Sequence, residues 1–216
     1  MKFRSVFFIF CTTLSCDATY AAPYFPDTPG LVIEYIGEMQ ISDETQSVSQ
    51  RIKVLEPIIH PETSEKLIVH QVIVTAAGEE ETVVKYYAVR ESGIYVIAEA
   101  KAPGGKLKSY EKPQQVFPLP FLKNSKWNMN IQTSKKKINL DYQVVSLSET
   151  VTIGTMDYDA VHITGKGMAK AFFMKIPMAE DRWVHKEMGT IKSISKQTIL
   201  KLETTTALTL KIDEKK

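Results

Sequence analysis

Residues 181–193, DRWVHKEMGTIKS, gather side chains that could take part in acid–base chemistry. His185 is followed by a lysine and a glutamate, and imidazole, amine and carboxyl groups are common proton donors and acceptors in catalysis. The same residues also fit a hairpin, in which Trp183 and His185 share one face of a strand, Val184 lies on the other and Gly189 makes the turn. We predict the hairpin, with its charges in solvent and Trp183 anchoring a core or lining a cavity.

Motifs for catalysis or metal binding are missing from the rest of the sequence. The chain lacks the G-x-S-x-G pattern of a nucleophile elbow, and its two cysteines, Cys11 and Cys16, lie near the start. The four histidines are His60, His70, His162 and His185. None of them has the close spacing of a zinc motif. Hydrolysis is therefore a minor alternative, and we predict no metal and no cofactor.

Two stretches carry lysine or glycine in patterns that are found at anion-binding sites. Lys135, Lys136 and Lys137 follow the segment of Trp127 and could contact anionic lipid headgroups or polysaccharide, or could form the solvated tip of a hairpin. Residues 165–167, Gly-Lys-Gly, lack the remainder of a phosphate-binding loop, so we predict a hairpin turn there.

Methionine residues cluster in the C-terminal third of the chain together with aromatic side chains. Such side chains fill protein cores, and they also line apolar cavities that bind acyl chains or other hydrophobic ligands. Both interpretations fit the sequence. The candidate ligand-binding residues are Trp127, Trp183, Phe172, Met174 and Met188.

The first residues are typical of an export signal. Lys2 and Arg4 precede an uncharged, mostly apolar run at residues 5–15, which is too short to span a bilayer. We predict a signal peptide at 1–21 and a periplasmic or secreted protein. Alternatively, Thr-Leu-Ser before Cys16 partly matches a lipobox, and acylation of this cysteine would give a membrane-anchored lipoprotein.

Charge and cysteine content limit the class of protein. Residues 22–216 carry 25 basic and 24 acidic side chains, since the signal segment holds two of the 27 basic and one of the 25 acidic residues. A dedicated nucleic-acid binder would have a strong basic excess. Residues 22–216 contain no cysteine, so a single hydrophobic core must hold the fold without disulfides.

Alternation of polar and apolar residues predicts an all-β protein. Trp127, Met129 and Ile131 alternate with polar residues. Segments 67–75 and 82–89 are apolar on both faces, which is typical of strands that are covered on both sides. Turn residues separate about twelve segments of this kind, and sequential hairpins give antiparallel neighbours. We predict an antiparallel meander of about twelve strands, curled into a barrel or half-barrel.

Two segments interrupt this pattern. The alternation slips at residues 144–145, which predicts a β-bulge. Residues 112–122 contain three prolines and cannot be a central strand. We predict that this segment is extended and crosses between two halves of one sheet, so that 22–216 form a single β domain.

Three stretches of the chain each combine strand, turn and aromatic residues. They are Gly93-Ile94-Tyr95 with Phe117-Pro118-Leu119-Pro120 and Trp127, residues 151–163, and residues 182–192. Over about residues 90–195 the chain thereby resembles a group of poorly characterised, exported bacterial β-proteins of the domain-of-unknown-function type. That group often has glycine where this chain has Glu187. The resemblance implies an exported, curved antiparallel sheet and carries over no catalytic residue.

These observations predict a non-enzymatic, exported protein of the cell envelope that binds a hydrophobic or lipid-like ligand in its curved sheet. The alternative is a structural or assembly module whose sheet edges pair with another envelope protein. We predict no nucleic-acid partner, and membrane contact only by association or through a Cys16 anchor.

Overall fold

The computed structural model describes residues 24–132, 136–171, 174–199 and 202–212. These residues form twelve β-strands and no helix, so the described part of the chain has no helix that could cross a membrane. The strands are β1 (Val32–Ile41), β2 (Glu44–Ile59), β3 (Lys66–Ala76), β4 (Glu79–Arg90), β5 (Gly93–Ala100), β6 (Lys108–Pro118), β7 (Lys126–Gln132), β8 (Lys136–Ile153), β9 (Met156–Ala171), β10 (Met174–His185), β11 (Gly189–Ile199) and β12 (Leu202–Leu210).

All twelve strands belong to one antiparallel sheet, in the order β6-β5-β4-β3-β2-β1-β12-β11-β10-β9-β8-β7. The pairing of β1 with β12 joins the two halves of the meander, and β6 and β7 are left as the edges. These edges lie close together, because the amide of Asn130 on β7 donates a 2.6 Å hydrogen bond to Oε1 of Gln114 on β6. The sheet is thus a nearly closed barrel, which confirms the predicted antiparallel meander.

The main core lies inside the barrel and draws residues from both edges of the sheet. Phe117 of β6, Trp127 of β7, Tyr142 of β8 and Val184 of β10 belong to it. The face that carries these side chains is called the inner face below. Since side chains alternate along a strand, each strand also presents an outer face.

Both faces of β3 and of the middle of β4 are largely buried, as their apolar sequences predict. Val72 and Val74 belong to a cluster on the inner side, and Leu67 and Val69 pack in another cluster with Tyr86 of β4. These strands lie in the interior of the strand order, where a continuous apolar run can be covered on both sides.

The two predicted interruptions lie at irregular places in the sheet. The pairing of β8 with β9 shifts register between Val144 and Ser146 and again between Ser146 and Glu149, as expected for bulged strands. The proline-rich segment supplies the second part of edge strand β6, and residues 119–125 then lead to edge strand β7. Its prolines therefore avoid the paired middle of the sheet.

The segment before β1 closes one end of the barrel. Phe25 is completely buried, and its ring stacks on His70 of β3 with centroids 4.8 Å apart. The amide of Tyr24 donates a 2.9 Å hydrogen bond to the carbonyl of Lys186, between β10 and β11, and the Tyr24 ring meets Phe121 edge-on. This short segment thereby connects early strands of the chain to late ones.

The Gly-Lys-Gly stretch lies inside strand β9, so the predicted hairpin turn at 165–167 is wrong. Gly165 pairs with Tyr142 of β8 and with Glu180 of β10. The Tyr142 ring lies directly against Gly165, and a Cβ atom at this position would overlap the ring. Glycine inside a strand often marks a place where a neighbouring group approaches closely.

Gly165→Ala is therefore expected to lower the free energy of unfolding by about 1–3 kcal/mol, because the added methyl group overpacks the contact with Tyr142. Urea unfolding followed by tryptophan fluorescence measures the change. The matched control is Lys166→Ala at the neighbouring exposed position, which should stay within about 0.5 kcal/mol of the parent. Equal effects of the two substitutions would contradict the assigned role of Gly165.

Candidate functional site

Aromatic and charged side chains form a row across the inner face of five neighbouring strands. Inner-face partners in register are Trp127 (β7), Tyr142 (β8), Gly165 (β9), Glu180 (β10) and Ser195 (β11). The Trp127 and Tyr142 rings stack with centroids 5.2 Å apart and planes 13° apart. Because Gly165 has no side chain, the Tyr142 ring can extend across β9 to reach Glu180. We call these five residues the inner row.

Tyr142, Glu180 and Arg182 form a buried, hydrogen-bonded cluster. The Tyr142 hydroxyl donates to Oε2 of Glu180 at 2.8 Å. Nη2 of Arg182 donates to the same carboxylate oxygen at 2.7 Å and to the Tyr142 hydroxyl at 2.9 Å. The side chains of Arg182 and Glu180 are only 1% and 4% exposed, so each charge depends on the other for compensation.

The environment fixes the protonation of two members of this cluster. Burial raises the pKa of Tyr142 well above its ordinary value, so the hydroxyl remains a neutral donor. Burial opposes the charge of Arg182, but the carboxylate of Glu180 outweighs it, and the pKa of Arg182 is raised. A general acid or base needs a pKa near the working pH, and neither side chain has one. Tyr142 therefore stays neutral and Arg182 stays charged.

Two buried donors, one in the cluster and one on the ring stacked against it, lack a hydrogen-bond partner among the described residues. They are Nε1 of Trp127 and Nε of Arg182. The inner positions Ser193, Ser195 and Gln197 of β11 are polar and only half-buried. Arg182 pairs directly with Ser193, and a buried donor next to an accessible polar side chain is suited to hydrogen bonding with water or with an acceptor group of a ligand.

The inner face becomes apolar at the far end of the barrel. Ile131 of β7, Met174 of β10 and Ile199 of β11 are half-buried there and pack against the main core. They lie at the end opposite Lys186, because β10 begins with Met174 and ends just before Lys186. We call Ile131, Met174 and Ile199 the apolar rim.

On the outer face, His162 of β9 lies between two carboxylates. Its Nδ1 is 2.9 Å from Oε2 of Glu149, and its Nε2 is 3.0 Å from Oδ1 of Asp181. Glu149 also accepts a 2.7 Å hydrogen bond from Nε1 of Trp183. Both ring nitrogens of His162 are thus engaged by carboxylates, which leaves neither facing a hydroxyl nucleophile.

Trp183 is covered on both sides of its ring. The His162 ring stacks on it with centroids 4.6 Å apart and planes 13° apart, and Nζ of Lys192 lies 5.0 Å from the Trp183 ring centroid. The next residue, Val184, is completely buried in the main core, so Trp183 must be on the outer face. Trp183 therefore packs against a histidine and a lysine outside the barrel.

The other histidines hold local structure. Nδ1 of His185 accepts a hydrogen bond from the amide two residues ahead, and Nδ1 of His60 accepts from two turn amides. Nε2 of His70 is 2.8 Å from the carbonyl of Pro26, to which it donates. No three of the described His, Cys, Asp and Glu residues are arranged to hold a metal ion.

The structure divides the predicted ligand-binding residues between two places. Trp127 and Met174 belong to or pack on the main core inside the barrel. Trp183 and Met188 pack on a smaller cluster that also contains Tyr158 and Ile191. Phe172 lies outside the described residues. Only the first pair therefore shares a face from which one ligand could be contacted.

The predicted anionic-surface and lipidation residues are described only in part. Lys135 and Cys16 lie outside the described residues, as does the predicted signal peptide. Lys136 is the first residue of β8. Lys137 is exposed, and it lies on the outer face because the next residue, Ile138, is buried in the main core.

The charged cluster inside the barrel was missed by sequence reasoning, although a signal for it exists. Alternate residues of β10 are apolar and buried, except that Glu180 and Arg182 occupy two consecutive positions of the same series. Because isolated charges are rarely buried, such a pair predicts an internal ion pair. Tyr142 has no comparable signal, since it lies 38 residues earlier in the chain than Glu180.

Comparison with known proteins gives similarity of fold. No protein-family model and no curated protein matches the chain. A candidate exported protein with a YmcC-like fold from Bacteroides fragilis is 13% identical, with a TM-score of 0.51. A candidate lipoprotein from Parabacteroides distasonis is 14% identical, with a TM-score of 0.49. Both alignments cover 89% of this chain and 100% of the other. The likeness to the Bacteroides protein shows that the two chains share a fold, and the description of that protein agrees with the exported location predicted here.

Proposed function

We propose that this chain is an exported, non-enzymatic protein of the cell envelope that binds a hydrophobic, lipid-like ligand inside its curved sheet. The observation that carries the proposal is the apolar rim. It places three half-buried apolar side chains from three strands at one end of the barrel, in front of Trp127 and the inner row.

The apolar rim and the inner row favour a ligand with two kinds of surface. An acyl chain gains about 0.8 kcal/mol for each CH₂ group that it buries against apolar side chains. Farther inside, the unpaired Nε of Arg182 beside the half-buried Ser193 favours a polar acceptor group, and Nε1 of Trp127 is a second unpaired donor. A hydrophobic ligand that carries one oxygen-rich group satisfies both.

The absence of enzymatic activity is proposed from the state of the candidate catalytic groups. His162 is engaged at both nitrogens, and His185 accepts a backbone amide at Nδ1. Inside the barrel, Tyr142 stays neutral and Arg182 stays charged, and Arg182 is ion-paired with Glu180. Export is proposed from the signal pattern of residues 1–21 together with the description of the Bacteroides protein.

Uptake of a naturally fluorescent fatty acid by the purified protein tests the proposal. The parent is expected to bind the probe and to release lipid on solvent extraction. Met174→Lys should weaken binding about tenfold or more, because it places a charge in the apolar rim. The matched control is Met156→Lys, since Met156 is 48% exposed at the start of β9 and should tolerate the same charge.

Two results would count against ligand binding at this place. A parent protein that neither carries lipid nor takes up the probe contradicts the binding function. Equal affinities of Met174→Lys and Met156→Lys for the probe would show that the ligand lies away from the apolar rim.

The assembly alternative rests on the two edge strands. No backbone ladder joins β6 to β7, and a partner strand could in principle pair with either edge. The Gln114 side chain already occupies the amide of Asn130, so an added strand must displace it. Recovery of a stoichiometric protein partner from envelope extracts, without any bound lipid, would favour this alternative.

A further inference from the structure

Three lysines from three neighbouring strands lie side by side on the outer face of the barrel. Lys137 of β8 pairs with Lys170 of β9, and Lys170 pairs with Lys175 of β10. All three are exposed. Their neighbours Ile138, Ala169 and Ile176 are buried in the main core, which places the lysines on the opposite face. We call Lys137, Lys170 and Lys175 the lysine row.

No carboxylate among the described residues neutralises the lysine row. Like charges that lie directly opposite on paired strands repel each other. The next outer row contains Asn139, Met168 and Pro177, and so supplies no carboxylate. Among the described residues, none of the three lysines forms an ion pair. The row therefore concentrates positive charge in a chain whose residues 22–216 have nearly balanced charge.

We infer that the lysine row docks the protein on an anionic bilayer surface. An ammonium group is a strongly hydrated point charge that responds to charge density rather than to the shape of a single ligand. The row lies on the regular outer face of three paired strands, where flexible side chains extend outward together, as suits a broad anionic plane. Each lysine close to such a surface strengthens binding about fivefold.

The position of the lysine row fits this role. Lys175 is next to Met174 of the apolar rim, so the row lies outside the same end of the barrel at which the rim lies inside. Docking through the row therefore brings the apolar rim near the bilayer. Docking does not require the ligand, so bilayer docking and ligand binding can be tested separately.

Binding to vesicles tests the inference. The mature protein is mixed with vesicles of phosphatidylcholine, with or without phosphatidylglycerol, and bound protein is measured by flotation. The parent is expected to bind only the anionic vesicles, and less as salt is raised. The triple variant Lys137→Gln, Lys170→Gln and Lys175→Gln should lose affinity on the order of 100-fold.

The control has the same change in net charge. Lys53→Gln, Lys101→Gln and Lys123→Gln remove three exposed lysines that lie in separate parts of the fold, and this triple variant should bind anionic vesicles within about threefold of the parent. Equal losses in the two triple variants would overturn the inference, because net charge alone would then explain binding. Equal binding of the parent to neutral vesicles would also overturn it.

Two further measurements distinguish bilayer docking from binding of soluble polyanions and from damage to the fold. Parent protein that binds soluble polyphosphate but no vesicles would show that the partner is a polyanion and would overturn bilayer docking. The lysine-row variant should unfold at the same urea concentration as the parent and should take up the fluorescent fatty acid equally well. Loss of vesicle binding with intact probe uptake supports docking separately from ligand binding.

Discussion

Replacing Arg182 with methionine is expected to lower the free energy of unfolding by about 3–5 kcal/mol. The substitution keeps much of the side-chain volume but removes the charge that compensates Glu180. That carboxylate is 4% exposed, and the neutral Tyr142 hydroxyl that donates to it cannot replace a positive charge. Since single domains are commonly stable by only 5–15 kcal/mol, as a rough range, the loss should be plain in urea unfolding.

A double variant distinguishes loss of compensation from simple loss of packing. Glu180→Met combined with Arg182→Met removes both charges and replaces them with apolar side chains. Replacing a whole buried ion pair in this way is often neutral or stabilising. The double variant should therefore recover most of the stability that Arg182→Met loses, which corresponds to a coupling of several kcal/mol between the two sites.

Tyr142→Phe measures the contribution of the third member. It removes one hydroxyl that donates to Glu180 and accepts from Arg182, while the ring that stacks on Trp127 remains. The expected loss is about 1–2 kcal/mol.

If Arg182→Met and the double variant Glu180→Met with Arg182→Met are equally unstable, packing alone explains the effect and the ion-pair account fails.

The fold was accessible to sequence reasoning because its signals are local. Alternation of side chains, apolar runs at 67–75 and 82–89, and turn residues between hairpins each depend on a few neighbouring residues. Together they predict twelve antiparallel strands and their curvature. The β-bulge at 144–145 was also predictable from the sequence, because a bulge changes which face of a strand is apolar.

The candidate site was less accessible because it depends on register between strands. Tyr142 and Glu180 meet only because β8, β9 and β10 align in one row, and no local pattern sets that alignment. Gly165 illustrates the ambiguity, since glycine favours both turns and close approach of a neighbour. The lysine row also depends on the register between strands, because a hairpin separates Lys170 from Lys175 and Lys137 lies on another strand.

Acidification from pH 6.5 to about 4 is expected to remove about 3 kcal/mol of stability through His70 alone. Its imidazole is completely buried, stacks on Phe25 and donates from Nε2 to the carbonyl of Pro26. Burial lowers the pKa of His70 from 6.5 to about 4, although the bond to Pro26 opposes this, and the nearby Lys85 lowers it further.

The direction of the effect follows from which state binds protons more readily. In the unfolded chain His70 takes up a proton near pH 6.5, whereas in the folded protein it does so only near pH 4. Protonation therefore favours unfolding throughout this interval. The contribution of neutral His70 is complete above pH 6.5, is lost progressively as the pH falls, and does not change further below about 4.

His70→Gln removes this titration and tests its origin. Glutamine can keep a donor toward Pro26, so the variant should be less stable than the parent at pH 7, through loss of stacking on Phe25, but its stability should fall less steeply between pH 6.5 and 4. The matched control is His185→Gln, whose parent residue is not buried and which should keep the steep fall. Stability is measured by urea unfolding at each pH.

The histidine NMR signals give an independent check on the same residue. His70 in the folded protein should remain neutral until the pH approaches about 4. A midpoint near 6.5 for this imidazole would refute the prediction, even if the protein is acid-sensitive, because the loss of stability would then arise elsewhere. Because a charged His70 is unfavourable in this buried place beside Phe25 and Pro26, its protonation should first release the segment before β1 that closes this end of the barrel. Amide exchange at Tyr24 should then rise before global unfolding.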